Sequence, residues 1–220
     1  MSGATRVQAV FWDNDGILVD TEELFYHATR AVLADAGFPI SIEEFTDCSL
    51  RQGRSVFELL RETFDDAAIE RLRAERNARY AARLAAGVPA LDGIETVLEA
   101  LRGRVTMGVV TSSSPEHFDL IHRGTGLVRY FDFVLTNVDY QRTKPDPAPY
   151  LAALARSGCA AAQCIAIEDS ERGLAATRAA GLRCIVVPRG LTRGGEFGAA
   201  YRVLDDVREL MPVLGPLLNE

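Results

Sequence analysis

Residues 7–21, VQAVFWDNDGILVDT, constrain the fold of this chain more than any other stretch. Apolar residues run as far as Trp12 and stop abruptly at Asp13, and Asp15 and Gly16 follow at once. This pattern predicts a short buried strand that ends in a tight turn. The turn places the carboxylates of Asp13 and Asp15 at the carboxyl end of the strand, where ligands bind in open α/β sheets.

Two interpretations of these neighbouring carboxylates are open. Carboxylates held close together repel each other, and a hard divalent cation such as Mg²⁺ relieves the repulsion because it prefers oxygen ligands. The alternative is an aspartate-rich turn whose side chains are simply solvated. The rest of the chain has to decide between a site and a turn.

Length and composition narrow the class of protein. The chain has 220 residues and a formal net charge of −7, which makes nucleic acid and anionic membranes poor candidate partners. No apolar run is long enough to span a bilayer and no signal-peptide pattern is present, so we expect a cytoplasmic protein. The cysteines lack the spacing of metal ligands, and we expect reduced thiols. They are Cys48, Cys159, Cys164 and Cys184.

After Thr21 the spacing of apolar residues changes from that of a strand to that of helices. Apolar residues recur every three or four positions as far as Gly37, and Ser41 with Glu44 forms a capping-box pattern. Further helices are predicted over residues 56–64 and 67–86. We therefore expect residues 20–87 to form an inserted helical cap.

From residue 88 onward, strand and helix patterns alternate, which predicts a parallel sheet covered by helices on both faces. The expected fold is α/β, with a Rossmann-like parallel sheet core made of residues 1–19 and 88–220. The predicted strands after the first are residues 105–110, 133–136, 164–167 and 183–187. The predicted helices are residues 93–101, 115–125, 147–157, 174–180 and 207–214.

Distinct polar residues follow the predicted strands. Ser112 and Ser113 follow the second, Lys144 lies in a later loop, and Glu168 and Asp169 end the fourth. If the strands are parallel, these groups converge with Asp13 and Asp15 on one edge of the sheet. Such an assembly suits a metal ion together with a phosphate, whose remaining oxygens would be bound by hydroxyl and backbone N–H groups.

Each piece also has a plainer interpretation. The serines could cap the helix that begins at Pro115, Lys144 could be a solvated surface charge, and the acidic pair could complement a helix dipole. The order of these groups at successive strand ends favours the functional interpretation.

The sequence resembles the haloacid dehalogenase superfamily, in its β-phosphoglucomutase-like phosphatase branch. The motifs that carry the resemblance are FWDNDGILVDT, VVTSSSP, TKPDP and IAIEDSERGLAATRAAG, in that order along the core. The resemblance implies a Rossmann-like sheet with a helical cap. One departure is Asn14, where relatives usually carry an apolar residue, and we expect it to hydrogen-bond locally.

The resemblance also implies roles for the motif residues. Asp13 is the expected nucleophile, and Asp15 the expected general acid and base, whose backbone carbonyl also binds Mg²⁺. Ser112, with Ser113 beside it, is expected to bind the phosphoryl group, and Thr111 is one residue out of position. Lys144 is expected to balance charge. The metal site is expected to consist of Asp13, Asp15, Glu168 and Asp169.

In the cap, Arg51, Arg54 and Arg76 are the charges of most interest. The Arg76-Asn77 pair with Tyr80 resembles a pattern in the cap of β-phosphoglucomutase-like proteins, so we expect Arg54 and Arg76 to contact substrate. The alternative, a solvated helix face, applies most to Arg51.

The function predicted from the sequence is a Mg²⁺-dependent phosphatase that acts on a small phosphorylated metabolite, with a sugar phosphate favoured. It would work through an aspartyl-phosphate intermediate. An alternative is a β-phosphoglucomutase-type hexose-phosphate mutase. A third interpretation is a signalling receiver module, which also uses clustered acids, a hydroxyl and a lysine. Receivers are shorter and lack both the inserted cap and the D-x-D-G spacing. The sequence carries no signal for an oligomeric state.

Overall fold

A computed structural model describes residues 6–219 and has a six-stranded parallel sheet at its centre. The first strand, β1 (Ala9–Trp12), is completely buried. A strand buried on both faces is expected to be continuously apolar, as β1 is.

A run of helices follows β1. It consists of α1 (Glu22–Asp35), α2 (Ile42–Phe45), a π-helical turn (Thr46–Arg51), a 3₁₀ turn (Val56–Leu60) and α3 (Asp66–Leu84). The predicted capping box opens α2, since Ser41 Oγ accepts from Glu44 N and Glu44 accepts from Ser41 N. The predicted helix over residues 56–64 is only a 3₁₀ turn. Separation of residues 20–87 as a cap domain stays a prediction.

Strands and helices then alternate to the C-terminus. In chain order they are α4 (Ile94–Leu101), β2 (Thr106–Val110), α5 (Pro115–His122), β3 (Phe133–Leu135), α6 (Ala148–Ser157), β4 (Cys164–Glu168), α7 (Glu171–Ala179), β5 (Arg183–Val186), β6 (Arg202–Val203) and α8 (Leu210–Asn219). The predicted α/β fold class, with its Rossmann-like parallel sheet, is confirmed. Strand β6 was not predicted, because its two residues are exposed and carry no apolar pattern.

The strand order is β3-β2-β1-β4-β5-β6, so the order reverses at β1. Trp12 of β1 pairs with Val109 of β2 on one side and with Ile167 of β4 on the other. A crevice opens outside the carboxyl ends of the strands at such a reversal. The residues that follow β1, β2 and β4 therefore meet at one place.

Alternate residues of the central strands point to opposite faces of the sheet, as the pleat requires. Val10 and Trp12 pack in a large cluster with residues of α4 and α8, whereas Ala9 and Phe11 pack in a second cluster with residues of α6 and α7. The helical segment has a third cluster, which includes Tyr26, Phe45, Phe57 and Ile69. The carboxyl edge of the sheet is thus held rigidly from both faces.

Among the helices of residues 6–219, none is long and apolar enough to cross a membrane. The four cysteines are free thiols, and all but Cys159 are buried.

Candidate active site

Three carboxylates converge at the reversal of strand order. The Asp13 N–H donates to Ile167 O at 2.9 Å, which continues the pairing of β1 with β4 and sets Asp13 beside Glu168. Glu168 ends β4 and Asp169 follows it. One oxygen from each of Asp13, Glu168 and Asp169 lies within 4.8 Å of the others, and all three residues are buried.

Lys144 is the cation of this cluster. Its Nζ lies 2.7 Å from Asp13 Oδ1 and 2.7 Å from Glu168 Oε1, and it donates to Val110 O at 2.9 Å. Lys144 is only 2% exposed, so the alternative of a solvated surface lysine is wrong. Burial alone would lower the pKa of Lys144, but the charges of Asp13 and Glu168 outweigh it and raise that pKa above its ordinary value.

One buried ammonium does not neutralise three buried carboxylates. Burial and the neighbouring Glu168 carboxylate raise the pKa of Asp13 to about 7, although Lys144 acts in the opposite direction. Burial and the charge of Asp13 also raise the pKa of Asp169 well above its ordinary value. Burial is the largest cause of both shifts and the neighbouring carboxylates add to it, and a bound cation would relieve the repulsion among these carboxylates.

Two orphaned oxygens show where a cation would fit. Glu168 Oε2 and Asp169 Oδ2 are buried and have no hydrogen-bond partner among the described residues. The Tyr150 hydroxyl and Lys144 both contact the other Glu168 oxygen, Oε1, and so orient the carboxylate. An all-oxygen set of carboxylates is the donor chemistry of Mg²⁺ and similar hard cations. The residues therefore fit a metal ion of this class.

Two glycines lie directly against these carboxylates and make room for them by having no side chain. Gly16 has φ +81°, which closes the turn after Asp15, and a Cβ there would lie 2.2 Å from Asp169 Oδ2. A Cβ on Gly173 of α7 would lie 1.9 Å from Glu168 Oε2. The turn and the helix can approach the acidic groups only because both positions lack side chains.

The Asp15 carboxylate is held by hydroxyl groups. It accepts hydrogen bonds from Thr21 Oγ1, from Ser113 Oγ at 3.1 Å and, weakly, from Thr111 Oγ1 at 3.4 Å. The Ser112 hydroxyl is buried without a partner among residues 6–219. An unpaired hydroxyl beside the acidic cluster is available to a ligand.

The serine run after β2 serves two purposes. Ser114 Oγ accepts from His117 N at 3.3 Å and caps α5, so the capping interpretation is right for Ser114. Ser112 and Ser113 are left to face the site. One short sequence therefore both starts a helix and supplies hydroxyl groups.

Asn14 makes a distant side-chain contact in place of the expected local one. Its Oδ1 lies 2.7 Å from His122 Nε2 at the end of α5, and His122 Nδ1 lies 2.8 Å from Thr125 Oγ1. Burial lowers the pKa of His122 to about 4, so the ring is neutral at pH 7. A neutral ring whose Nε2–H donates to Asn14 and whose Nδ1 accepts from Thr125 satisfies both contacts.

A cavity of about 240 Å³ opens next to the site. A cavity of this size can hold a small metabolite. Residues from the sheet edge, α1, α2, the π-helical turn, α3, α5 and α7 line it. They are Asp15, Thr21, Glu22, Phe25, Phe45, Ser49, Leu50, Arg76, Asn77, Tyr80, Ser112, Ser113, Ser114, His117, Asn137 and Arg172.

The three arginines of the helical segment occupy different places. Arg76 lines the cavity, its guanidinium lies over the Phe25 ring at 4.3 Å, and burial lowers its pKa to about 10. Arg54 is exposed and does not line the cavity. Arg51 pairs with Glu171 of α7 at 3.4 Å.

The sequence analysis missed several polar residues of this region, among them Glu22, Tyr150 and Arg172. Glu22 directly follows the opening stretch, and Arg172 lies within the IAIEDSERGLAATRAAG motif, so their positions next to predicted site residues were a usable signal. Tyr150 had no such signal, because its hydroxyl reaches Glu168 only through the packing of α6 on the sheet.

Glu22 and Arg172 form a charged pair in the cavity wall. Arg172 Nη2 lies 3.7 Å from Glu22 Oε1. Burial raises the pKa of Glu22 to about 7, although Arg172 acts against this shift.

Known proteins similar to this chain in sequence include CbbY proteins and phosphoglycolate phosphatases. Protein CbbY of Cereibacter sphaeroides is 32% identical over 221 residues, which cover 95% of this chain and 96% of that protein. A phosphoglycolate phosphatase of Xanthomonas campestris pv. campestris is 29% identical over 86% of each chain. The crystal structure of mutant CbbY from Rhodobacter sphaeroides in complex with xylulose-(1,5)bisphosphate superposes with a TM-score of 0.80. It is 29% identical, with 93% of this chain and 96% of that chain covered.

One family profile matches most of the sheet core and the whole helical segment of this chain. The profile of the haloacid dehalogenase-like hydrolases matches residues 10–187, a range that begins in β1 and ends just after β5. The match includes all of the acidic cluster and Lys144. This chain therefore belongs to the haloacid dehalogenase-like hydrolase family.

Proposed function

We propose that this chain is a Mg²⁺-dependent phosphatase of small phosphorylated metabolites, with a sugar phosphate as the favoured substrate, and that Asp13 carries the phosphoryl group as an intermediate. The family and its phosphatase relatives establish that the chain is a phosphoric monoester hydrolase. The proposal of a Mg²⁺-dependent reaction through Asp13 rests on the buried contact of Lys144 with both Asp13 and Glu168. Beside this contact, one oxygen of Glu168 and one of Asp169 are buried without a hydrogen-bond partner among the described residues.

In the proposed reaction, the Asp13 carboxylate attacks phosphorus in line with the departing ester oxygen. A P–O bond forms to Asp13 and the P–O bond to the leaving group breaks. Asp15 donates the proton that the leaving oxygen needs, and then accepts a proton from the water that hydrolyses the aspartyl phosphate. The Thr21 and Ser113 hydroxyls that now hold Asp15 would orient it for both transfers.

The charge balance of the reaction rests on Lys144 and on the metal site. A carboxylate is a poor nucleophile toward a phosphate dianion unless positive charge offsets their repulsion. Asp13, Glu168 and Asp169 would hold Mg²⁺, with the Asp15 carbonyl as a further ligand, and the bound ion supplies part of that positive charge. Lys144 supplies the rest, and the unpaired Ser112 hydroxyl is placed to donate to a phosphoryl oxygen.

We further propose that residues 20–87 act as the cap over this site. Gly53, with φ +66°, brings its backbone against the Lys144–Pro145 peptide, since a Cβ there would lie 2.4 Å from Pro145 Cδ. The cavity is lined by residues of both the helical segment and the sheet edge, among them Arg76 and Ser112. A cap that excludes bulk water strengthens the electrostatic contacts beneath it.

A sugar phosphate fits the relatives and the cavity. One relative is a CbbY crystallised with xylulose-(1,5)bisphosphate, and another is a phosphoglycolate phosphatase. Arg76 is the cation of the helical segment that lines the cavity, so it is the candidate contact for the part of the substrate that does not react.

The first test of the proposed function compares wild type with Asp13→Asn. We expect Mg²⁺-dependent release of phosphate from sugar monophosphates by wild type, its loss in chelator and its recovery on adding Mg²⁺. Asp13→Asn keeps the shape of the side chain but cannot attack phosphorus, so turnover should be abolished while the circular dichroism spectrum is unchanged. More than a few per cent of wild-type activity in Asp13→Asn would refute the nucleophile.

The second test separates hydrolysis from mutase chemistry. A mutase needs a cationic site in the cap for the distal phosphate of a bisphosphate, and Arg54, near the loop where one is expected, is exposed outside the cavity. We therefore expect β-glucose 1-phosphate to be hydrolysed with no need for a bisphosphate. Formation of glucose 6-phosphate about a hundredfold faster than phosphate release, with a trace of the 1,6-bisphosphate present, would contradict this (~3 kcal/mol in barrier).

A further inference from the structure

One charged pair in the cavity wall has no role in the proposed reaction. Glu22 is the first residue of α1, and Arg172 lies in the first turn of α7, two residues beyond Ser170. Both side chains line the same cavity as Asp15 and Ser112. They therefore face the space where the body of a substrate would lie, next to the reacting phosphate.

Neither side chain is satisfied by the protein. The 3.7 Å between Arg172 Nη2 and Glu22 Oε1 is too long for a hydrogen bond. Within residues 6–219 neither side chain forms a hydrogen bond, and Arg172 Nε is buried without a partner. Glu22 is 11% exposed at its side chain and Arg172 is 24% exposed, so bulk water does not fully replace those bonds. Polar groups this enclosed are expected to have partners, and the cavity is where a partner can enter.

The pair presents an acceptor and a donor close together. The Glu22 carboxylate accepts hydrogen bonds, whereas the Arg172 guanidinium only donates them. A hydroxyl group can serve both, because its hydrogen is donated to Glu22 and its oxygen accepts from Arg172. A carboxylate of the substrate could accept from Arg172, but it would then lie beside the negative charge of Glu22.

We propose that Glu22 and Arg172 bind a hydroxyl group of the substrate and so make this enzyme selective for polyol phosphates over phosphorylated carboxylic acids. The inference rests on the proposed phosphatase function and narrows its substrate class. It assigns the two residues to specificity rather than to the chemistry at phosphorus.

A matched pair of substrates tests this selectivity for a hydroxyl group over a carboxylate. Glycerol 3-phosphate and 3-phosphoglycerate differ only in a hydroxymethyl group that is replaced by a carboxylate. The ratio of their kcat/KM values is measured at pH 8, above the raised pKa of about 7 of Glu22. We expect wild type to favour glycerol 3-phosphate.

Glu22→Gln keeps the size of the side chain and removes its charge. We expect it to lower the ratio at least tenfold, which corresponds to about 1.4 kcal/mol. Glu23→Gln is the control, because Glu23 is the next residue of α1 and is exposed. It should leave the ratio unchanged. Arg172→Gln is a second, independent variant, and it should raise KM for glycerol 3-phosphate.

Two further readouts separate specificity from damage to the fold. Hydrolysis of p-nitrophenyl phosphate, which has no hydroxyl group for the pair, should stay within about threefold of wild type in the control Glu23→Gln, and in Glu22→Gln it should fall far less than hydrolysis of glycerol 3-phosphate. In an Asp13→Asn background, calorimetry should show at least tenfold weaker binding of glycerol 3-phosphate after Glu22→Gln. A merely structural role would change both measurements together.

The outcomes distinguish this inference from the function on which it rests. If wild type hydrolyses none of the three esters, the proposed function fails and the inference fails with it. If wild type is active but both Glu22→Gln and Arg172→Gln leave the ratio and the binding unchanged, the inference alone is overturned. Should Glu22→Gln not fold, the Arg172→Gln result decides.

Discussion

Gly173 lies in the first turn of α7, directly against the carboxylate of Glu168. A Cβ atom at this position would lie 1.9 Å from Oε2 and 2.1 Å from Cδ of Glu168. Glu168 is fully buried and is held by Lys144 and by the Tyr150 hydroxyl, so its carboxylate cannot turn away without breaking those contacts. The substitution Gly173→Ala therefore tests whether this carboxylate is held as tightly as the structure indicates.

Two effects of opposite sign decide the outcome for Gly173→Ala. Alanine in place of glycine inside a helix normally stabilises it by about 1 kcal/mol. Overpacking a buried site costs about 1–3 kcal/mol, and losing a hydrogen bond to a charged group costs about 1.5–3 kcal/mol more. The unfavourable effects are larger, and we expect the free energy of unfolding to fall by about 2 kcal/mol or more.

Two assays are needed. Urea unfolding in chelator measures the free energy of unfolding, and calorimetric titration of the folded, chelator-free protein with Mg²⁺ measures its affinity for the metal. Gly173→Ala should lower the affinity for Mg²⁺ at least tenfold, because the displaced carboxylate is a proposed ligand. Ala175→Gly is the matched control, since Ala175 lies two residues on in α7 and is exposed. It should cost about 1 kcal/mol through helix propensity alone and leave Mg²⁺ binding unchanged. A Gly173→Ala protein that is more stable than wild type and binds Mg²⁺ normally would refute the reasoning.

Three further predictions follow from the site. Without Mg²⁺, stability should fall as pH rises from about 4 to about 7. The raised pKa values of Asp13 and Glu22 make the folded protein bind more protons than the unfolded chain there, and together they outweigh the lowered pKa of His122. Melting in chelator at pH 5 and pH 8 measures this, and a higher Tm at pH 8 would contradict it. Asn14→Leu and His122→Leu should each lower the free energy of unfolding by roughly 1–3 kcal/mol, because each leaves a buried partner unpaired. In urea unfolding, the double variant should lose less than the sum of the two single losses. Additive losses would exclude coupling between the two side chains. Arg76→Ala should change the order of preference among sugar phosphates more than the rate with an aryl phosphate, and exposed Arg54→Ala should change neither; equal losses on every substrate would indicate a structural role for Arg76.

Local sequence patterns were sufficient for most of the helices and strands, although not for β6 or for the 3₁₀ turn at Val56–Leu60. The abrupt change at Asp13, the helical spacing after Thr21 and the alternation after residue 88 each depend on neighbours within a few positions. Such patterns predict a buried strand, a turn and an amphipathic helix because burial on one face has a fixed period. They also predict which polar residues follow the strands, once those strands are taken as parallel.

The contacts that complete the site depend on tertiary structure. Lys144 meets Asp13 across 131 positions of sequence, and His122 meets Asn14 across 108. Local periodicity carries no information at such separations, because these distances depend on the strand order and on how α5 and α6 pack against the sheet. The same limit applies to Glu22 and Arg172, whose opposition across the cavity exists only when the helical segment lies over the sheet edge. The sequence by itself determined the chemical groups and the strand ends on which they stand, whereas the tertiary structure alone decided which of them face one another.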